Sequence, residues 1–102
     1  MSGGAPDIDR FLACVARLQA EAPRLTAIQA GLLVAAHLGI AYDSRTFARK
    51  LGLAHALVLR ELNALAEQSA LLRIESRDVR TMRTAFTPGT GAGRLLAMLP
   101  AS

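Results

Sequence analysis

Apolar positions recur along this chain at two spacings, and the change from one to the other separates a helical stretch from a hairpin-like one. Ile8, Phe11, Leu12, Val15 and Leu18 fall at helical intervals. They predict a first helix opened by Pro6 or Asp7, running to about Ala22 and stopped by Pro23, with Cys14 on the flank of its apolar stripe. Thr26-Ala27-Ile28-Gln29 has the spacing of a capping box, in which a Thr side chain and a Gln side chain each satisfy the other's backbone N–H. A second helix therefore covers 26–38 and stops at Gly39. Ile28, Leu32, Ala35 and Ala36 share one face, while Leu33, Val34 and Leu38 extend apolar character around the cylinder. Such a helix is covered on more than one side, by neighbouring helices or by a second protomer.

Ile40-Ala41-Tyr42 is short and β-compatible, a candidate third strand beside a later hairpin. Asp43 or Ser44 caps the next helix, which ends at Leu51. Phe47-Ala48-Arg49-Lys50-Leu51-Gly52-Leu53 reads apolar, Ala, two charges, Leu, Gly, Leu, the spacing of a helix-turn-helix. Its glycine suits the left-handed backbone of a sharp turn. The helix after the turn, about 54–68, puts Ala54, Val58, Leu62 and Leu65 on its core face and Ala56, Arg60, Asn63 and Glu67 on the opposite one. His55 and Leu59 lie on one shoulder, Leu57 and Ala64 on the other.

From Leu71 the period drops to two. Leu72 and Ile74 alternate with Arg73 and Glu75, Ser76 to Val79 turns the chain, and Arg80 to Phe86 returns with Met82, Thr84 and Phe86 on one face. A glycine-rich joint and a short helix at 92–99 follow. The expected fold is α+β, mostly α: a winged helix-turn-helix with a two- or three-stranded β-wing. It forms a single domain over 7–99 behind a flexible leader, 1–6, with the helix-turn-helix at 44–68 and the wing at 71–87.

Composition sharpens this picture. The chain has 102 residues, 52% of them hydrophobic and only 4% aromatic, which suits helices packed through aliphatic side chains. The formal net charge is +4, and it is uneven. Residues 1–44 hold three basic and four acidic groups; residues 45–102 hold nine basic and four acidic. The excess sits in the half with the helix-turn-helix and wing, where a phosphate-facing surface needs it. One cysteine, Cys14, rules out an intrachain disulfide or a cysteine metal cluster, reads as a core filler, and points to a cytoplasmic compartment. No apolar run reaches the ~18 residues of a membrane span, and the N-terminus has no secretory pattern. Neither His37 nor His55 has a partner at metal or triad spacing, and Gly89-Thr90-Gly91-Ala92-Gly93 has no preceding strand and lysine to make it a phosphate loop. The expectation is no enzyme and no cofactor.

Three segments resemble the MarR family of winged-helix transcription regulators. Leu25-Thr26-Ala27-Ile28-Gln29, with Leu32 and Leu33, is similar to the family's Leu-Thr-x-x-Gln…Leu opening. Phe47 to Leu53, with Val58-x-Arg60 and Leu62-x-x-Leu65, is similar to its helix-turn-helix. Asp78-Val79-Arg80-Thr81 followed by Phe86-Thr87-Pro88 is similar to its wing motif, Asp-x-Arg followed by Leu-Thr-Pro. The resemblance covers residues 25–91 and implies a DNA-binding transcriptional regulator that works as a dimer. Here the C-terminal helix is short, Ser69 stands where the family usually has Gly, and the start of the recognition helix is apolar rather than polar.

The residues that would contact double-stranded DNA follow from this placement. Arg60 could donate to a guanine edge or a phosphate, and Asn63 could read adenine. Arg77 and Arg80 at the hairpin tip would enter a minor groove or lie on the backbone, with Asp78 orienting Arg80. Arg45, Arg49 and Lys50 suit phosphate contacts, and His55, Arg73 and Arg83 complete the basic surface. The alternative is a degenerate winged helix that binds a protein through an exposed Leu57 and Leu59 surface. A homodimer would form through helices 7–22 and 26–38.

Overall fold

The computed structural model describes residues 4–99, with side chains from Ile8 onward. In chain order the elements are α1 (Gly4–Glu21), α2 (Ala27–Leu38), α3 (Ser44–Leu51), α4 (His55–Gln68), β1 (Leu72–Arg77), β2 (Thr84–Pro88), a 3₁₀ turn (Thr90–Ala92) and α5 (Gly93–Ala97). The fold is α+β and mostly helical, with one two-stranded antiparallel sheet.

α2 lies at its centre. Every residue from Gln29 to Ala36 is buried, because α1, α4, β2 and α5 all pack around this one helix. The all-round apolar pattern is therefore satisfied within a single chain. The capping box forms as expected, with Thr26 Oγ1 accepting from the Gln29 N–H and Gln29 Oε1 accepting from the Thr26 N–H. The same two side chains also tie α2 to α4. Thr26 Oγ1 donates to the Glu61 carboxylate at 3.1 Å, and Gln29 Nε2 donates to the Glu61 carbonyl at 3.5 Å. Gly31 leaves room for two rings to cross the helix: a Cβ there would come within 3.2 Å of Phe47 and 3.5 Å of Phe11.

α1 departs from expectation at both its start and its face. It begins at Gly4, so residues 4–6 belong to the helix rather than to a leader; proline is tolerated in a first turn, where its missing N–H has no helical partner to lose. Residues 1–3 of that leader lie outside the described residues. The buried edge of α1 is Phe11, Cys14 and Leu18, whereas Ile8 and Leu12 are 61% and 57% exposed. Only the line facing α2 and α5 is covered, and the apolar stripe is wider than that line.

α3 is capped by Asp43, whose carboxylate accepts from the Thr46 N–H at 2.8 Å. It ends on Gly52 at φ 67°, with the Gly52 N–H donating to the Arg49 carbonyl and the Leu53 N–H to the Ala48 carbonyl. This paired closure turns the chain sharply into α4 and needs the left-handed conformation that glycine adopts at no steric cost. Ala54, expected in the core, is exposed instead. It precedes the helix in extended backbone, so the helical phase does not reach it. Val58, Leu62 and Leu65 fill the core as expected.

The candidate third strand reduces to one isolated bridge, Asp43 to Ala85, and a bond from the Phe86 N–H to the Tyr42 carbonyl. The chain has no room to extend it, because Asp43 must bend to cap α3. β2 begins only at Thr84, not at Arg80. Asp78 to Arg83 is a turn, closed by the Asp78 N–H on the Arg83 carbonyl, with Met82 left-handed at φ 61°. Met82 is thus exposed and does not share the buried face of Thr84 and Phe86.

A β-bulge breaks the alternation of β1. Ile74 pairs with Phe86 and Ser76 with Ala85, so Glu75 has no opposite number and Arg77 pairs with Thr84. Strict alternation would set Arg77 on the outer face with Arg73 and Glu75. The extra residue moves it to the face of Thr84 and Phe86, towards α4.

Candidate functional site

The basic residues of α3, α4 and the hairpin are brought together by hydrogen bonds between elements. Arg45 Nη2 donates to the Thr81 carbonyl at 2.7 Å, joining the start of α3 to the hairpin tip. Arg83 Nη1 lies 3.7 Å from the Asp43 carboxylate. Arg77, placed by the bulge, donates from Nε to Thr84 Oγ1 at 3.3 Å and from Nη2 to Asn63 Oδ1 at 2.6 Å. An open concave site of about 390 Å³ lies here, lined by Arg45, Ala48, Arg49, Leu53, His55 and Arg83. Three guanidinium groups and an imidazole share its wall.

Ser44 lies behind it. Its side chain is wholly buried, accepts from the Thr84 N–H at 2.9 Å, and sits 2.8 Å from His55 Nε2. One hydroxyl thus connects α3, α4 and β2. Sequence alone left Asp43 and Ser44 as equal candidates for the α3 cap. Because Asp43 takes the cap, the Ser44 hydroxyl is free for this second role, which no motif signals.

Electrostatics follow the geometry. Burial pushes the Asp43 carboxyl up, but hydrogen bonds from the Thr46 N–H and hydroxyl, the Arg83 charge and the Arg45 N–H outweigh it and hold it below its ordinary 3.8. Burial and then the Arg45 charge, with a smaller push from Arg83, hold the His55 imidazole below its ordinary 6.5 against the pull of Asp43. Glu75 is held low by the Thr87 hydroxyl and by Arg73.

Of the ten residues expected to meet DNA, four line this site: Arg45, Arg49, His55 and Arg83. The side chains of Arg49, of Arg60 on the outward side of α4 and of Arg80 in the hairpin turn make no hydrogen bond or ion pair among the described residues. Three expectations change. Lys50 turns away and donates to the Ile40 carbonyl at 2.9 Å, beside an apolar groove lined by Ile8, Phe11, Leu12 and Leu51. Arg73 is bound at 2.7 Å to Glu75, which Thr87 also engages, so its charge is locally neutralised on the outer face of the hairpin. Arg77 is not a free tip residue: it ends β1 and anchors the hairpin to α4, occupying the Asn63 oxygen that an adenine amino group would need. The Asp78 carboxylate accepts the Arg80 N–H at 2.9 Å and the Thr81 N–H at 3.4 Å, so it shapes the turn and does not engage the Arg80 guanidinium.

Leu57 and Leu59 are half-buried rather than exposed, so α4 has no broad apolar surface. Exposed large apolar side chains lie elsewhere, at Ile8, Leu12, Tyr42, Leu51, Val79 and Met82. Cys14 is buried in the core, and His37 Nε2 is enclosed without a hydrogen-bond partner in the last turn of α2. Among the described residues, no three His, Cys, Asp or Glu side chains gather as metal ligands, and no helix is long and apolar enough to cross a membrane. In comparisons with known proteins, no family model, no curated protein and no solved structure matches the chain.

Proposed function

We propose that this chain is a winged helix-turn-helix that binds double-stranded DNA in transcriptional regulation. The observation that carries the reading is the concave site of Arg45, Arg49, His55 and Arg83, built jointly by α3, the start of α4 and the hairpin. Three guanidinium groups from α3 and the hairpin, beside an imidazole donor from α4, suit a phosphodiester backbone, which is recognised by charge and by several donors at once. α4 is the recognition helix, with Arg60 as its free base-reading donor. Arg80 in the hairpin turn reaches the neighbouring backbone or minor groove. Arg45 and Arg77 fix the hairpin to the helices, so the contacts on either side keep a set spacing. With few polar groups on α4, phosphate contacts supply most of the affinity, and specificity between sequences is modest. The resemblance of residues 25–91 to MarR-type regulators agrees with this reading.

The test is duplex binding by fluorescence anisotropy, with wild type beside an Arg45→Ala, Arg49→Ala, Arg83→Ala variant. Binding is expected to weaken steeply with salt and to be lost in the variant. Equal binding by both proteins would dispose of the proposal.

A second reading concerns assembly. The groove between α1 and α3, about 430 Å³, is lined mainly by the apolar side chains of Ile8, Phe11, Leu12, Ile40 and Leu51. It favours a homodimer made through α1, with the end of α3 rather than α2 beside it. Any protein-binding role belongs to this groove rather than to Leu57 and Leu59.

A further inference from the structure

We infer that Ser44 is a positioning residue: its hydroxyl holds His55 as a neutral imidazole whose Nδ1–H is the uncharged donor of the arginine-lined site. The inference rests on the reading of that site as a phosphodiester contact.

The Thr84 N–H is a fixed donor 2.9 Å from Ser44 Oγ, so the oxygen accepts there. Ser44 is wholly buried, and its hydroxyl hydrogen needs an acceptor. His55 Nε2, at 2.8 Å, is the acceptor the structure provides. In the opposite tautomer, Nε2–H would point at Ser44 as a second donor. The serine hydrogen would then be buried without a partner, which is costly. The ring proton therefore sits on Nδ1. That atom makes no hydrogen bond among the described residues and is not enclosed, and the ring lines the site with Arg45, Arg49 and Arg83.

The arrangement gives the site a directed neutral donor among diffuse charges. The charged groups facing His55 are Asp43, Arg45 and Arg49 from α3 and its cap, and Arg83 from the hairpin, so cations outnumber the single carboxylate. A second imidazole proton would set Nε2–H against Ser44 and add a cation beside three others. Ser44 also ties the hairpin strand to both helices, so the donor and the flanking arginines share one framework.

The experiment has two arms on the full chain. In the first, long-range ¹H–¹⁵N correlation spectra of uniformly labelled wild type, taken above the His55 titration, report the tautomer directly. The expected result is a protonated Nδ1 and an unprotonated Nε2, with the pattern lost in Ser44→Ala. A wild-type spectrum showing protonated Nε2 would overturn the inference, whether or not the variant folds. In the second, affinity for a duplex is measured for wild type, Ser44→Ala, His55→Ala and the double variant. Ser44→Ala is expected to weaken binding by about two- to tenfold, the range of one neutral hydrogen bond, and to add nothing in the His55→Ala background. An equal effect in both backgrounds means that Ser44 acts through packing alone and refutes the inference. Protonated Nδ1 in a wild type that binds no duplex at low salt would overturn the role in the site and the DNA reading together, leaving only the Ser44–His55 pairing.

Discussion

Removing one guanidinium from the concave site should cost more than removing one from the outer face of the hairpin, and the structure says by how much. Arg49 lines the site from the last turn of α3 and is engaged by no acceptor among the described residues, so its full charge is available to a ligand. Arg73 is equally cationic on paper, but Glu75 lies 2.7 Å away. Arg49→Ala removes one charge-assisted phosphate contact, worth roughly 1.5 kcal/mol or about tenfold in affinity. It should also lower the slope of log affinity against log salt by about 0.9. Its effect on folding should be small, at most the roughly 0.3–1 kcal/mol of a cation at a helix C-terminus. Arg73→Ala, by contrast, should change affinity by less than about twofold, since an exposed, already paired charge contributes little. The assay is fluorescence anisotropy of a labelled duplex at several salt concentrations, with thermal melts as the control for folding. If the two variants weaken binding equally, or if Arg49→Ala lowers affinity without changing the salt slope, the site does not hold a phosphate.

Other predictions follow from single contacts. Gly89→Ala would drive its Cβ into the carbonyl oxygen of Ala70; the backbone cannot yield there, so a loss of about 3 kcal/mol and a fall in Tm of at least about 10 °C are expected, and an unchanged melt would show that this strand end sits differently. Stability should fall as pH drops below about 6.5, because the folded chain holds His55 low and the unfolded chain takes up the proton first. A second loss should set in below 3.8, where Asp43, also held low, is protonated and its link to Thr46 fails; chemical denaturation across pH tests both, and a flat profile in the upper window would contradict the His55 placement. DNA affinity should run the opposite way through the upper window, tightening as His55 gains charge next to a phosphate, which anisotropy at fixed salt would show or refute. Ile8→Glu with Leu12→Glu should leave Tm nearly unchanged, as both are exposed, yet shift any dimer to monomer in sedimentation; a variant that still self-associates would remove the α1 groove from that role.

The helical half of the fold was legible because its signals are local. A Thr three residues before a Gln, a Gly after a Leu, and apolar residues every three or four positions act within one turn of chain, and Thr26, Gly39, Gly52, Val58, Leu62 and Leu65 all do what their spacing predicts. Signals that depend on what lies opposite were not legible. Ile8 and Leu12 fit the stripe of α1, but nothing in the sequence says how much of that stripe α2 and α5 cover. Arg77 read as a hairpin-tip residue because nothing in the sequence shows that β1 continues past a bulge at Glu75; no glycine marks it. For the candidate site, charge counting pointed to the half of the chain that holds it and named Arg45, Arg49 and Arg83, which line it. It could not separate Arg49, whose side chain has no partner among the described residues, from Arg73 and Lys50, whose partners Glu75 and the Ile40 carbonyl are set by side-chain geometry. The Ser44–His55–Thr84 connection joins residues up to 40 positions apart and could be found only in three dimensions.

The central claim is that the arginine-lined site between α3, α4 and the hairpin binds the DNA backbone. The most direct test is the affinity of the wild-type chain for an arbitrary genomic duplex at about 50 mM and about 200 mM salt. Contacts to about three phosphates predict a loss of some forty-fold between these conditions, in line with a log–log slope near −2.7. No binding at the lower salt, or binding that is indifferent to salt, would contradict the account.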